Sequence, residues 1–315
     1  MQLKIKSTHQ RARTRPLWLR PVVTAALVLA ALWLLKTRIE PLDFVAIWQT
    51  VVDVSPGDWA LAALLTGLSF WAVGRYDAAV HKMLATGVAA AQARWAGRAA
   101  IAISQAMGFG LVTGAFARWQ WGRGTISAVL SAKITAIVGI CFLSCAALWA
   151  LLLLPLTALP LAGLGPVLAL GIMAALAWAS IRVPVRFSRL PPIQTMLRLM
   201  ALTALDLGCA ALAFWVLLPD PDLVSPVMLT VAYTVALFLA LVSNAPGGVG
   251  PFDMALLMLL PMVPQVDLLA TCIAFRIVYY ALPACLAAGG LMVRLVILPD
   301  QPAARACTPI TPIPD

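Results

Sequence analysis

Residues 243–253 read SNAPGGVGPFD, and they interrupt an apolar segment that runs from 226 to 263. Pro246 has no backbone N–H and the two glycines after it relax the chain, so a helix is expected to end here. Pro251 and Asp253 predict a new helix, because proline suits the first helical position and a carboxylate in the first turn complements the helix dipole. The stretch therefore predicts two half-helices joined by a broken loop.

The surrounding chain has the composition of a membrane protein. Of its 315 residues, 63% are hydrophobic and only 11% are charged, with a mean hydropathy of +0.96. A soluble domain carries about 25% charged residues. Apolar runs close to the length of a membrane-spanning helix recur at 17–35, 59–74, 99–117, 127–154, 161–180, 199–218, 226–263 and 268–292. We therefore predict an all-α polytopic integral membrane protein.

Three segments follow from this pattern. Residues 1–16 form a basic arm that we expect in the cytoplasm, and 17–295 form a single transmembrane domain. The remaining residues, 296–315, are rich in proline and predict a disordered cytoplasmic tail. The first apolar run is too long for an ordinary signal-peptide core and no clear cleavage site follows it, so we interpret it as a retained span.

Loop charge favours one topology over another. Eight simple spans would leave twelve basic residues in cytoplasmic loops and eight outside. If 99–117 and 226–263 are instead re-entrant hairpins, broken at the glycines of 107–114 and 246–250, six full spans remain. Of the 22 basic residues, 18 then fall in the cytoplasm and two outside. Because cytoplasmic loops of membrane proteins collect Lys and Arg, we prefer six spans with two broken hairpins and keep eight spans as the alternative. The same rule explains the net charge of +10, so we do not interpret this charge as a sign of nucleic-acid binding.

Several kinds of chemistry have no signature in the sequence. It contains no GxSxG, HExxH or Walker A motif, and its six cysteines include no CxxC pair. His9 and His81 are far from those thiols along the chain. We therefore expect no catalytic residues, no metal and no cofactor, and any transport would use a gradient or equilibrate its substrate.

Ionisable residues inside the predicted spans are the strongest functional signal. Lys133, Asp206 and Arg276 each cost about 2.5–3.5 kcal/mol at a helix centre, so such residues are retained for function or for internal pairing. Lys133 is near the end of its span, where snorkelling is equally consistent. An Asp206–Arg276 pair is one arrangement that the sequence allows. Tyr279 and Tyr280 follow Arg276 at helical spacing, and the proline at 283 should kink or loosen that helix.

The loop glycines and the new helix start could bind an anion such as a lipid phosphate, or simply bend the chain. Because broken backbone cannot face lipid, we favour a polar cavity. We predict lipid-binding residues at Arg118, Asn244, Pro246, Gly247, Gly248, Gly250, Asp253, Arg276, Tyr279 and Tyr280. We predict supporting residues at Arg75, Tyr76, Asp77, Lys133 and Asp206, although the first three also fit a simple interfacial anchor.

Five stretches in the same order carry a family resemblance. They are GRYDAAVHKML (74–84), AISQAMGFGLVTGAFARWQ (102–120), the Asp206 span ending in LLP (217–219), SNAPGGVGPFD (243–253) and FRIVYYALP (275–283). With them the chain, over about 55–295, resembles the transmembrane flippase domain of lysylphosphatidylglycerol synthase, the multiple peptide resistance factor, and its stand-alone relatives. Trp119, Gln120 and Trp121 depart from that family, which often has an aromatic residue and a basic pair there.

The resemblance implies a protein of the bacterial inner membrane that translocates or handles a polar lipid, anionic or aminoacylated. The chain ends shortly after its last span, so we expect no aminoacyl transferase domain and no enzymatic activity. Membrane lipids are the expected partners, and a homo-oligomer is compatible with the sequence. The alternatives are a membrane partner or regulator of a separate lipid- or hopanoid-modifying enzyme, and an intramembrane enzyme that uses Asp206 or Asp253 as a base.

Overall fold

The computed structural model describes residues 43–108, 110–122, 126–157, 193–243 and 245–297. In these ranges all regular structure is helical. The α-helices are α1 (Phe44–Asp53), α2 (Pro56–Met83), α3 (Ala90–Met107), α4 (Gly110–Trp121), α5 (Ala128–Leu153), α6 (Ile193–Val216), α7 (Pro226–Ser243), α8 (Pro251–Leu259), α9 (Gln265–Phe275) and α10 (Leu282–Ile297). Short 3₁₀ turns cover Leu154–Leu156, Pro221–Leu223 and Pro246–Gly248, and a π-helix covers Arg276–Ala281.

Four described helical segments are long and apolar enough to cross a membrane. They are Ala128–Leu156, Gln194–Val216, Pro226–Ser243 and Gln265–Val293, of 29, 23, 18 and 29 residues. At 1.5 Å per residue, even the shortest approaches the roughly 30 Å of a hydrocarbon core. The chain is therefore an all-helical, multi-pass membrane protein, as its composition predicts. The predicted spans 17–35 and 161–180, the arm 1–16 and residues 298–315 of the tail lie outside the described residues.

Two helices differ from the predicted runs. The run 59–74 belongs to α2, which continues to Met83 and is not among the four segments above. Its start is set by Ser55, whose hydroxyl accepts from the Asp58 amide at 3.1 Å, with Pro56 at the first position. The first half of the predicted hairpin 226–263 is α7, which is long enough to span a membrane by itself.

Both predicted backbone breaks are present. Between α3 and α4 the chain turns at Gly108, which has φ 74°, a conformation that favours glycine. Between α7 and α8 the turn uses Gly247, Gly248 and Gly250, with φ of 61°, 67° and 93°. The long apolar segments thus divide into paired helices, because α3 packs on α4 and α7 packs on α8.

The helices pack into two buried clusters that meet along α6. Phe214, Tyr233, Phe252 and Phe275 belong to the larger cluster, which joins α6 to α7, α8 and α9. The smaller cluster joins α2, α5 and α6 and includes Ile134. The helix α2 lies between α3 and α6, so polar groups on α2 face neighbours on both sides.

Candidate functional site

An ion pair lies at the broken loop between α7 and α8. The Arg276 guanidinium donates from one Nη to both Asp253 oxygens, at 2.7 and 2.9 Å, and its Nε donates to the Gly247 carbonyl at 3.3 Å. The Asp253 side chain is 8% exposed and that of Arg276 is 21% exposed. The pair is therefore desolvated on the carboxylate side and partly open on the guanidinium side.

Most backbone amides of this loop already donate hydrogen bonds to acceptors in or next to the loop. The Gly248 amide donates to the Ala245 carbonyl at 3.0 Å, and the Val249 amide donates to the Pro246 carbonyl at 3.2 Å. The Gly250 amide donates to Asp253 at 2.9 Å, so this carboxylate caps α8 as well as neutralising Arg276. An anion at this loop would therefore meet the guanidinium rather than a nest of free glycine amides.

Arg276 is the first residue of a π-helix. Pro283 has no N–H to donate, and the Leu282 amide bonds to the Ile277 carbonyl, five residues earlier. The predicted loosening of this helix thus takes the form of wide turns, which recur at functional sites in helices. These turns bring Tyr279 and Tyr280 into the core, at 2% and 7% exposure.

A second polar group lies wholly inside the helices. Ser69 donates to Asp206, and its Oγ is 2.6 Å from the Tyr279 hydroxyl, which in turn donates to Asp206 at 3.3 Å. The three side chains come from α2, α6 and the π-helix and are all buried. Asp206 therefore bonds to hydroxyl groups, while Arg276 bonds to Asp253, and the two residues do not form the pair that the sequence allows.

Aromatic rings separate and surround these polar groups. Phe275 stacks on Tyr279 with centroids 4.7 Å apart and planes at 15°, and Tyr233 meets Phe275 edge-on at 5.7 Å. Phe252, next to Asp253, packs on Tyr233 at 5.6 Å. These rings shield the Asp206 group and the carboxylate side of the ion pair from water, which strengthens the electrostatic interactions there.

Arg118 belongs to a third, separate group. Its guanidinium donates to Asp77 at 2.5 and 3.0 Å and to the Thr135 hydroxyl at 3.0 Å, and it is 1% exposed. Gly97 permits this contact, since a Cβ there would lie 2.4 Å from the Asp77 side chain. Burial alone would raise the pKa of Asp77, but Arg118 and the adjacent His81 outweigh it and hold that pKa below its usual value. This enclosed group links α2, α4 and α5, and the Arg118 guanidinium has no exposed edge in this arrangement.

The remaining predicted residues lie apart from the ion pair. Arg75 is exposed with its guanidinium 4.3 Å above the Trp71 ring, and Tyr76 is buried with its ring against Phe142. Lys133 is exposed on α5. Asn244 lies outside the described residues. The structure therefore brings Pro246–Gly250, Asp253, Arg276 and the tyrosine pair together.

Two contributors have no signal in the sequence. Ser69 bridges Asp206 to Tyr279, and Thr135 accepts from Arg118. In the sequence, each is one of several hydroxyl residues within a mainly apolar helix. Both positions become visible only when a distant charged partner packs against them.

Comparison with known proteins adds little to this geometry. No family model matches the chain. A 93-residue stretch is 34% identical to "Uncharacterized protein slr0712" of Synechocystis sp., and it covers 29% of each chain. The likeness spans less than a third of that relative, and the name of the relative assigns it no activity.

Proposed function

We propose that this protein is a lipid translocase of the bacterial inner membrane. It would bind the polar headgroup of an anionic or aminoacylated lipid at Arg276 and carry it between leaflets. The observation that carries the proposal is the Arg276–Asp253 pair, set in a glycine loop inside apolar helices. Intramembrane charge of this kind marks substrate pathways in transporters.

The arrangement in the membrane is part of the proposal. Six full spans and two re-entrant hairpins, broken near 108 and 247, would leave both termini in the cytoplasm. The glycine breaks of α3–α4 and α7–α8 support opposed hairpins. The resemblance to the flippase domain of lysylphosphatidylglycerol synthase supports the lipid substrate, since the motifs at 243–253 and 275–283 supply the loop and its arginine.

Asp253 would hold Arg276 in place and offset its charge before a lipid arrives. In the structure it neutralises Arg276, whose exposed fraction leaves room for a second anion. Arginine binds phosphate through the same forked geometry that it uses for a carboxylate. An arriving phosphate would bind the exposed edge of the guanidinium, while Asp253 keeps its bonds to Arg276 and to the Gly250 amide. Arg276 would thus offset the phosphate charge at this point in the apolar layer.

The test is lipid movement by the purified protein in liposomes, with a panel of headgroup-labelled lipids. We expect selective movement, and we expect Arg276→Ala to reduce it about tenfold to a hundredfold, the scale of a lost hydrogen bond to a charged group. Arg276→Lys, which keeps the charge but not the fork, should fall between the two.

A double variant separates function from folding. Arg276→Ala alone leaves Asp253 buried and unpaired, which destabilises the fold. Removing both charges in Arg276→Ala/Asp253→Ala should restore part of the unfolding temperature without restoring lipid movement. Full movement in the folded double variant, or movement of no lipid by the wild-type protein, would contradict the proposal.

A further inference from the structure

A basic cleft lies away from these three polar groups, at one end of the helices. A cleft of about 380 Å³ opens between the last turns of α2, the loop 84–89, the start of α3 and the start of α6. Its volume lies within the 300–1,000 Å³ typical of small-ligand sites. It shares no lining residue with the Arg276 group.

Among the residues that the structure describes, four cations and no carboxylate line the cleft. The cations are Arg75, Lys82, Arg94 and Arg198. Burial lowers the pKa of the neighbouring Arg98, and the charges of Arg94 and Arg75 lower it further. A fifth cation therefore lies close enough to the cleft to interact with two of the cations on its walls. Like charges from three helices converge on one concavity without an opposite charge on its walls.

The local backbone adds to this positive field. The helix α3 begins at Ala90, which lines the cleft, and its cap residue Ala89 has no side-chain oxygen to occupy the first amides. The loop before it contains Ala85 at φ 48°, a conformation that a non-glycine residue rarely adopts. Arg75 is held in place by its stacking on Trp71.

We propose that this cleft binds the phosphate group of an anionic lipid headgroup. Arginine forks and a lysine are the side chains that recognise phosphate, and basic pockets between membrane helices bind anionic headgroups. Trp71 and Trp95 lie beside the cationic residues at 39% and 57% exposure, which suits the headgroup depth of a membrane. The cleft would bind its ligand whether or not the protein moves lipids.

Free phosphate is the other source of the same chemistry, so the test has arms for both. The full chain is purified in neutral detergent, and binding of labelled phosphatidylglycerol and phosphatidylcholine is measured by titration. Lys82→Gln/Arg198→Gln removes two exposed cations of the cleft, and Asp222→Asn removes an exposed charge outside it. We expect the double variant to bind phosphatidylglycerol about tenfold or more weakly, with the Asp222 variant unchanged.

Competition then identifies the source. Phosphatidylglycerol binding that resists millimolar inorganic phosphate supports a lipid site, whereas displacement by inorganic phosphate supports a phosphate site that free anions also fill. Equal phosphatidylglycerol affinity in the wild type and the double variant would overturn the proposal. Because both substituted residues are exposed, an unchanged unfolding temperature is the folding control. The same loss on Lys82→Gln/Arg198→Gln is expected in an Arg276→Ala/Asp253→Ala background, which lacks the other proposed headgroup site, and this keeps the cleft distinct from the translocation proposal.

Discussion

At the scale of single residues, buried charges are held by specific partners. Arg118 is enclosed by Asp77 and Thr135, and Arg276 by Asp253 and a loop carbonyl. Removing one partner of a buried pair leaves an uncompensated charge, which costs more than the pair contributes. The two arginines therefore have different expected roles, because only Arg276 retains an exposed edge.

The Asp77–Arg118 pair gives a prediction about stability. Asp77→Ala should lower the free energy of unfolding by about 3–5 kcal/mol, since it strands a guanidinium that is 1% exposed. The measurement is the unfolding midpoint in detergent. The matched variant Asp77→Ala/Arg118→Leu removes both charges and should recover much of the loss. If the single variant were as stable as the wild type, the pair would have no structural role.

At the scale of helices and loops, glycine and proline determine where the chain breaks. The turn at Gly108 separates α3 from α4, and the positive φ angles at Gly247, Gly248 and Gly250 separate α7 from α8. The π-helix at Arg276–Ala281 is a third irregularity, and it accompanies a proline.

Gly248 offers a test of the loop. Gly248→Ala should destabilise the protein, because φ is +67° and the new Cβ would lie 3.1 Å from the Ala240 side chain. The left-handed conformation alone costs an L-residue about 1–2 kcal/mol. Gly139→Ala is the control, since that helical position has open space and should gain up to about 1 kcal/mol. Both variants are compared by unfolding midpoint, and equal behaviour would show that the loop geometry is not constrained.

At the scale of the whole molecule, the basic cleft and the Arg276 group use different helices. The cleft lies at the ends of α2, α3 and α6, whereas the ion pair joins α8 to the π-helix. Under the two proposals this separation has a use, because one site would recognise the headgroup at the surface and the other would offset its charge within the membrane.

The proposed topology predicts labelling on opposite sides of the membrane. Lys82→Cys and Asp220→Cys, each in a chain with its native cysteines replaced by alanine, would be treated with a membrane-impermeant maleimide. Intact spheroplasts should label position 220 from outside, while position 82 should react only after the membrane is opened. Labelling of both positions in intact spheroplasts would contradict six spans with a cytoplasmic N-terminus.

Hydropathy and residue type alone determined the membrane class and the positions of both chain breaks. These properties are local, since apolar run length and the conformational freedom of glycine act within a few residues. They also identified Lys133, Asp206 and Arg276 as costly residues within apolar segments.

Only the tertiary structure decided which residues meet. Ser69 and Asp206 are 137 residues apart, Asp77 and Arg118 are 41 apart, and Asp253 and Arg276 are 23 apart. Helical spacing relates neighbours three or four positions apart, whereas these partners are set by how separate helices pack. For the same reason the cleft of Arg75, Arg94 and Arg198 has no sequence signature, since its cations come from three helices and serve equally well as topological charges until packing brings them around one space.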